Sequence, residues 1–190
     1  MQMRRTLRSR RSGLSAQQRA AAAQRIATHV AHTRWLQGTR PIGLYASQGY
    51  EVDMQPLAQL ARLRRCPIYL PRITDYRERR MRFVLETSTP LKLNRHGIAE
   101  PRGQHSIAAG ALSVVFMPLL GFDAHGVRLG SGAGYYDRLF SYRRHRLHWH
   151  RPLLVGVAYS CQQLPHIPRR THDVTLDALV SENGVRYFRD

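Results

Sequence analysis

The segment Met117–Phe140, MPLLGFDAHGVRLGSGAGYYDRLF, decides the fold. The apolar run Ala111-Leu112-Ser113-Val114-Val115-Phe116 leads into it. That run is short, β-branched and closed by Pro118, so it reads as a buried parallel strand. After it, Tyr136, Leu139 and Phe140 fall at helical spacing, which predicts a helix from Tyr135 to His148. Between the two lie Gly121, Gly126, Gly130, Gly132 and Gly134. A strand, a glycine-rich loop and a helix start form a phosphate cradle, because glycines let backbone N–H groups approach an anion. Arg128 adds fixed positive charge, and Asp137 can hold a metal ion shared with phosphates. The plainer reading is that the glycines only turn the chain. Two common phosphate motifs do not fit. The chain has a single lysine, Lys92, outside any Gly-Lys-Ser/Thr context, and Gly130-Ser131-Gly132-Ala133-Gly134 is not G-x-G-x-x-G.

At 190 residues the chain is expected to form one domain over residues 1–190 with a sizeable core. No apolar run approaches a membrane span, and no signal-peptide core follows the basic start. Cys66 and Cys161 make neither a disulfide framework nor a metal spacing, which suits small hydrophobes in a reducing cytoplasm. The net charge is +18. Such a field attracts polyanions: nucleotides, a polyglutamylated substrate or nucleic acid.

Arg4-Arg5-Thr6-Leu7-Arg8-Ser9-Arg10-Arg11 is either a solvated, frayed terminus or an arginine arm (residues 1–12) that closes over an anion; Met3 and Leu7 give it one weak apolar face. Ser15-Ala16-Gln17-Gln18 has capping-box form and opens an alanine-rich helix to about His32. Residues 40–46 read as a strand, and Ser47 to Glu51 as a loop at its carboxyl end. Asp53 caps a helix bearing Leu57, Leu60, Ala61 and Leu63. Residues 66–71 form a second strand, completing a βαβ unit. Residues 72–80 read as a charged connection, 81–85 as an edge strand, and 90–103 as a long loop. His145, His148 and His150 surround Trp149 without an interleaved carboxylate or cysteine, which favours a basic helix end over a metal site. Residues 152–158 form another buried strand, and 184–188 a last edge strand. The alternation predicts a single three-layer α/β/α domain with a mainly parallel, Rossmann-like sheet.

Gly121-Phe122-Asp123, Gly126-Val127-Arg128-Leu129-Gly130 and Gly134-Tyr135-Tyr136-Asp137-Arg138 resemble the signature of the 5-formyltetrahydrofolate cyclo-ligase family. The resemblance extends to Arg4-Arg5-Thr6-Leu7-Arg8, Tyr50-Glu51-Val52-Asp53, the Asn94, Gly97-Ile98, Glu100-Pro101 segment, and His172-Asp173 with Asp177. Arg4 stands where the family has lysine, which keeps charge and changes geometry. Ala133 stands where it usually has glycine; at positive φ alanine is strained by roughly 1–2 kcal/mol, and at negative φ it is harmless.

The resemblance implies ring closure of 5-formyltetrahydrofolate driven by ATP and Mg²⁺ in a cytoplasmic monomer. It implies ATP contacts by Arg4, Arg8, Arg128, Leu129, Gly130, Ser131, Gly132, Ala133, Gly134, Tyr135 and Tyr136. The folate falls to Ala46, Glu51, the Ser131–Gly134 loop and Tyr135. Arg128 and Tyr135 are the implied catalytic residues, and Asp137 and Asp173 the implied Mg²⁺ ligands. Phosphoryl transfer needs positioning and charge stabilisation, so the lack of a nucleophilic triad is no obstacle. A basic nucleic-acid binder is a rival reading, without a recognisable motif or aromatic ladder. A family member that has changed substrate or lost activity is another.

Overall fold

A computed structural model describes residues 2–144 and 151–188. Eight strands form its main sheet, in the order β12-β11-β10-β7-β1-β2-β3-β6. These are β1 (Ile42–Gly43), β2 (Ile68–Asp75), β3 (Arg80–Leu85), β6 (Ser106–Ile107), β7 (Val114–Pro118), β10 (Leu153–Val157), β11 (Ala178–Ser181) and β12 (Gly184–Tyr187). The five strands β11, β10, β7, β1 and β2 run parallel, and β12, β3 and β6 pair antiparallel at the flanks. Taken in chain order, the parallel strands lie 2-1-3-4-5. This is a doubly wound arrangement whose order reverses between β1 and β7, and ligands of such sheets bind outside the strand ends at that point.

Alternate residues on each strand face opposite ways. Val114 and Phe116 join the core under helices α2 (Ala16–Ala31) and α3 (Gln55–Leu63). Val115 and Met117 join the other core, with Leu112, Phe140 and Leu176. The expected capping box is present: Gln18 N donates to Ser15 Oγ, and Ser15 N to Gln18 Oε1. The cap of α3 is one residue off expectation. Met54 is its N-cap, and Asp53 accepts from Gln55 N instead.

Four expectations change. Residues 72–75 belong to β2, which forms an antiparallel hairpin with β3. The 81–85 segment is not an edge, because β6 pairs outside it; a two-residue strand leaves no periodic signal. The 90–103 loop contains a small hairpin, β4 (Lys92–Leu93) with β5 (Ala99–Glu100). Helix α4 ends early, spanning Tyr135–Leu139, and a 3-10 turn follows at Ser141–Arg144. The turn buries Phe140 and carries Arg143 to Asp177, with 2.8 Å between Nη1 and Oδ2. The rest of the predicted helix, with His145 and His148, lies outside the described residues, as do Trp149 and His150 beyond it.

The basic start is a docked helix, α1 (Gln2–Ser12). Leu7 is fully buried. It fits the space above Gly121, where a Cβ would lie 2.6 Å from Leu7 Cδ1. Arg10 reaches the carbonyls of Cys161 and Gln163 at 3.5 and 3.4 Å.

Candidate functional site

The glycine segment begins as a hairpin of β8 (Gly121–Phe122) and β9 (Arg128–Leu129). Asp123 builds its turn. Fully buried, it accepts from His125 N, Val127 N and Ile167 N at 2.9, 3.0 and 3.1 Å. The loop then runs exposed through Ser131, Gly132 and Ala133. Gly132 and Gly134 have φ of +112° and +73°, a region open to glycine. Ala133 is not among the left-handed residues, which outside glycine are Arg65 and Arg79 in the described chain. Alanine there is therefore free of the strain considered above. The N–H groups of residues 131–134 donate to no other group among the described residues. They are available to an anion.

Arg128 and Asp137 are paired with each other, Nη2 to Oδ1 at 2.7 Å, with the Arg128 side chain only 5% exposed. Asp137 also accepts from Val174 N at 3.1 Å. Asp173 accepts from Arg170 N at 2.8 Å and lies 3.8 Å from His172. Among the described residues no three His, Cys, Asp or Glu side chains gather as a metal cluster. Asp137 and Asp173 both line the main cavity. One or two carboxylates completed by phosphate oxygens suit Mg²⁺, which retains water and rarely uses an all-protein cage.

Helix α1 brings Arg4 to the loop, its Nε donating to the Gly130 carbonyl at 3.1 Å. Glu51 lines the same cavity, in a turn after β1. Ser47 Oγ donates to Val52 O and accepts from Met54 N, while Gln48 N donates to Glu51 Oε2 at 3.1 Å. Burial pushes the Glu51 carboxyl above its ordinary range, opposed by the Gln48 N–H and by Arg11. Tyr136 is held un-ionised chiefly by burial and next by Glu51, and its hydroxyl has no hydrogen-bond partner among the described residues. Burial likewise raises Tyr135, with Arg95 acting against it.

The Asn94–Pro101 segment overhangs this space. Asn94 Oδ1 accepts from His96 N and Ile98 N, and its amide donates to Glu100 at 2.7 Å. Glu100 also accepts from Ile73 N at 2.8 Å, fastening the small hairpin to β2. Arg95 stacks on Tyr76, 3.5 Å from the ring centre.

These parts enclose a cavity of about 1140 Å³ at the strand-order reversal. Arg4, Ala46, Glu51, Arg128, Leu129, Gly130, Ser131, Gly132, Ala133, Gly134, Tyr135, Tyr136, Asp137 and Asp173 all line it. Arg8 lines a smaller adjoining cavity of about 390 Å³, together with Arg11, Glu51 and Ser131. Asp177 lies elsewhere, buried and accepting from Leu154 N and Arg143. Sequence reasoning missed Gln48, Arg79, His96 and Arg170 in the main cavity and Arg11 beside Glu51. A signal existed for Arg11: positions 4, 7, 8 and 11 follow the i, i+3, i+4, i+7 spacing of one helix face.

The architecture is that of a doubly wound α/β enzyme whose small-molecule cavity opens at the switch point. The family model for the 5-formyltetrahydrofolate cyclo-ligase family matches residues 1–182. A 5-formyltetrahydrofolate cyclo-ligase of Haemophilus influenzae is 32% identical over 185 residues, covering 94% of this chain and 96% of that protein. One of Escherichia coli is 28% identical over 182 residues, covering 94% and 98%. The solved 5,10-methenyltetrahydrofolate synthetase of Aquifex aeolicus superposes with a TM-score of 0.82 at 28% identity, covering 100% of this chain and 92% of that one. The chain belongs to the 5-formyltetrahydrofolate cyclo-ligase family.

Proposed function

We propose that this chain closes the ring of 5-formyltetrahydrofolate to give 5,10-methenyltetrahydrofolate, with ATP, bound as its Mg²⁺ complex, converted to ADP and phosphate. The observation that carries the reading is one cavity lined both by unpaired loop N–H groups and by a half-buried carboxylate, Glu51. MgATP would supply a phosphoryl group to the formyl oxygen, a poor leaving group, and N10 would close the ring as phosphate leaves.

In this reading the chain's residues bind and orient. The N–H groups of residues 131–134 take phosphate oxygens, and Arg4 and Arg8 add charge from α1. Arg128, held by Asp137, presents fixed charge to the transferring group. Asp137 and Asp173 take the metal. Glu51 accepts from the amino and ring N–H donors of the pterin. Tyr135 and Ala46 flank the folate. The protein need supply no covalent nucleophile. The reading extends to a monomer in the cytoplasm, a reducing compartment in which Cys66 and Cys161 stay free.

The test is near-UV absorbance of purified protein with 5-formyltetrahydrofolate and Mg²⁺, with and without ATP. ATP-dependent growth of the methenyl band is expected. Folded protein that binds nucleotide without turnover would indicate a relative with a changed substrate.

A further inference from the structure

We infer that Arg11 is a positioning residue for Glu51, and that helix α1 serves the glycine loop and Glu51 at once; this rests on Glu51 being the pterin-binding carboxylate. Helix α1 makes three separate connections from one face. Arg4 donates to the carbonyl of Gly130 in the glycine loop. Leu7 anchors the helix over Gly121. Arg11 then extends to Glu51, Nη1 to Oε1 at 4.0 Å, with side chains 13% and 22% exposed. Its Nε is buried and has no hydrogen-bond partner among the described residues. A guanidinium enclosed this way does little for the surface, and Glu51 is the carboxylate beside it.

Glu51 needs such a partner. The other groups that face it are the Gln48 N–H, which donates to Oε2, and the hydroxyls of Tyr45 and Tyr136, which burial keeps neutral. Arg8 lines the same adjoining cavity. Tyr159 holds the backbone, donating to the Glu51 carbonyl at 3.2 Å. Burial alone favours the protonated acid, which loses acceptor capacity toward N–H donors. The Gln48 N–H and then the Arg11 charge oppose that, each favouring the ionised carboxylate. Undocking α1 would therefore withdraw Arg4 from the glycine loop and Arg11 from Glu51 together.

The experiment compares wild type with Arg11→Gln and Arg11→Lys in two measurements. In the first, carboxyl carbon NMR follows the Glu51 titration in the ligand-free protein. Arg11→Gln is expected to raise the midpoint and Arg11→Lys to return it toward wild type. An unmoved midpoint overturns the inference. In the second, steady-state kinetics are recorded across pH. Arg11→Gln is expected to raise KM for the folate at the acidic end by roughly tenfold for each unit the midpoint moves, with KM for ATP unchanged. An equal rise at every pH, or a parallel rise in KM for ATP, would make Arg11 a docking residue only and overturn it. A wild-type chain without ring-closing activity would instead refute the proposed function and leave the titration to decide the role of Arg11.

Discussion

Arg128 and Asp137 meet at 2.7 Å across the glycine loop, and the Arg128 Nε has no hydrogen-bond partner among the described residues. The pair closes the loop on itself, because the two residues stand at its two ends. It also ties the loop to Val174. Asp137→Asn removes the countercharge of a buried guanidinium and should lower stability by about 3 kcal/mol. Chemical denaturation measures this. Combining it with Arg128→Met should restore much of the stability without restoring turnover, which separates the structural share of the pair from the chemical one.

Gly121→Ala should loosen α1 while leaving the sheet intact, since its Cβ would meet Leu7 Cδ1 at 2.6 Å and the Gln162 carbonyl at 3.3 Å. The expected readout is rapid proteolysis within residues 1–12, with a cooperative unfolding transition retained and KM for ATP raised. Leu7→Ala should act in the same direction, costing roughly 2–5 kcal/mol if the site cannot collapse.

Ala133→Gly should leave turnover near wild type, because the position does not use a left-handed backbone. Gly132→Ala, at φ +112°, should strain the loop by about 1–2 kcal/mol and reduce kcat/KM for ATP. Steady-state kinetics of the two variants side by side check both.

Glu100→Ala should free the small hairpin over the cavity. It strands Ile73 N and the Asn94 amide, which now donate to Glu100, at a cost of about 1–3 kcal/mol. Faster amide exchange in residues 92–100 and a higher KM for the folate are expected. Unchanged exchange would mean that the hairpin is held by other contacts.

Burial raises the Glu51 carboxyl above its ordinary value of 4.5. The folded chain then binds the proton more tightly than the unfolded chain. Across the window from 4.5 upward to the raised folded value, Glu51 makes stability fall as pH rises. Glu51→Gln should flatten that slope. Denaturation midpoints across this window test it, and an unaltered slope would contradict the burial argument.

Local patterns carried much of this protein. The Ser15–Gln18 capping box, the alternating faces of residues 114–117 and the glycine loop each follow from spacings of a few residues, because backbone geometry imposes those periods on any chain. The same spacings reach the Arg4, Leu7, Arg8 and Arg11 stripe, although its partners lie far away. Partnership was decided only by tertiary packing. Nothing near Asp177 in the chain says that it receives Arg143 from the turn after α4, or that Asp123 spends both oxygens on backbone N–H groups. Nor does residue 81–85 announce that a two-residue strand will cover its outer side. Arg11 and Glu51 are forty positions apart and come together because Leu7 finds the hollow at Gly121. Burial of apolar surface is non-directional and acts over the whole chain. Which charges it encloses together depends on the completed fold.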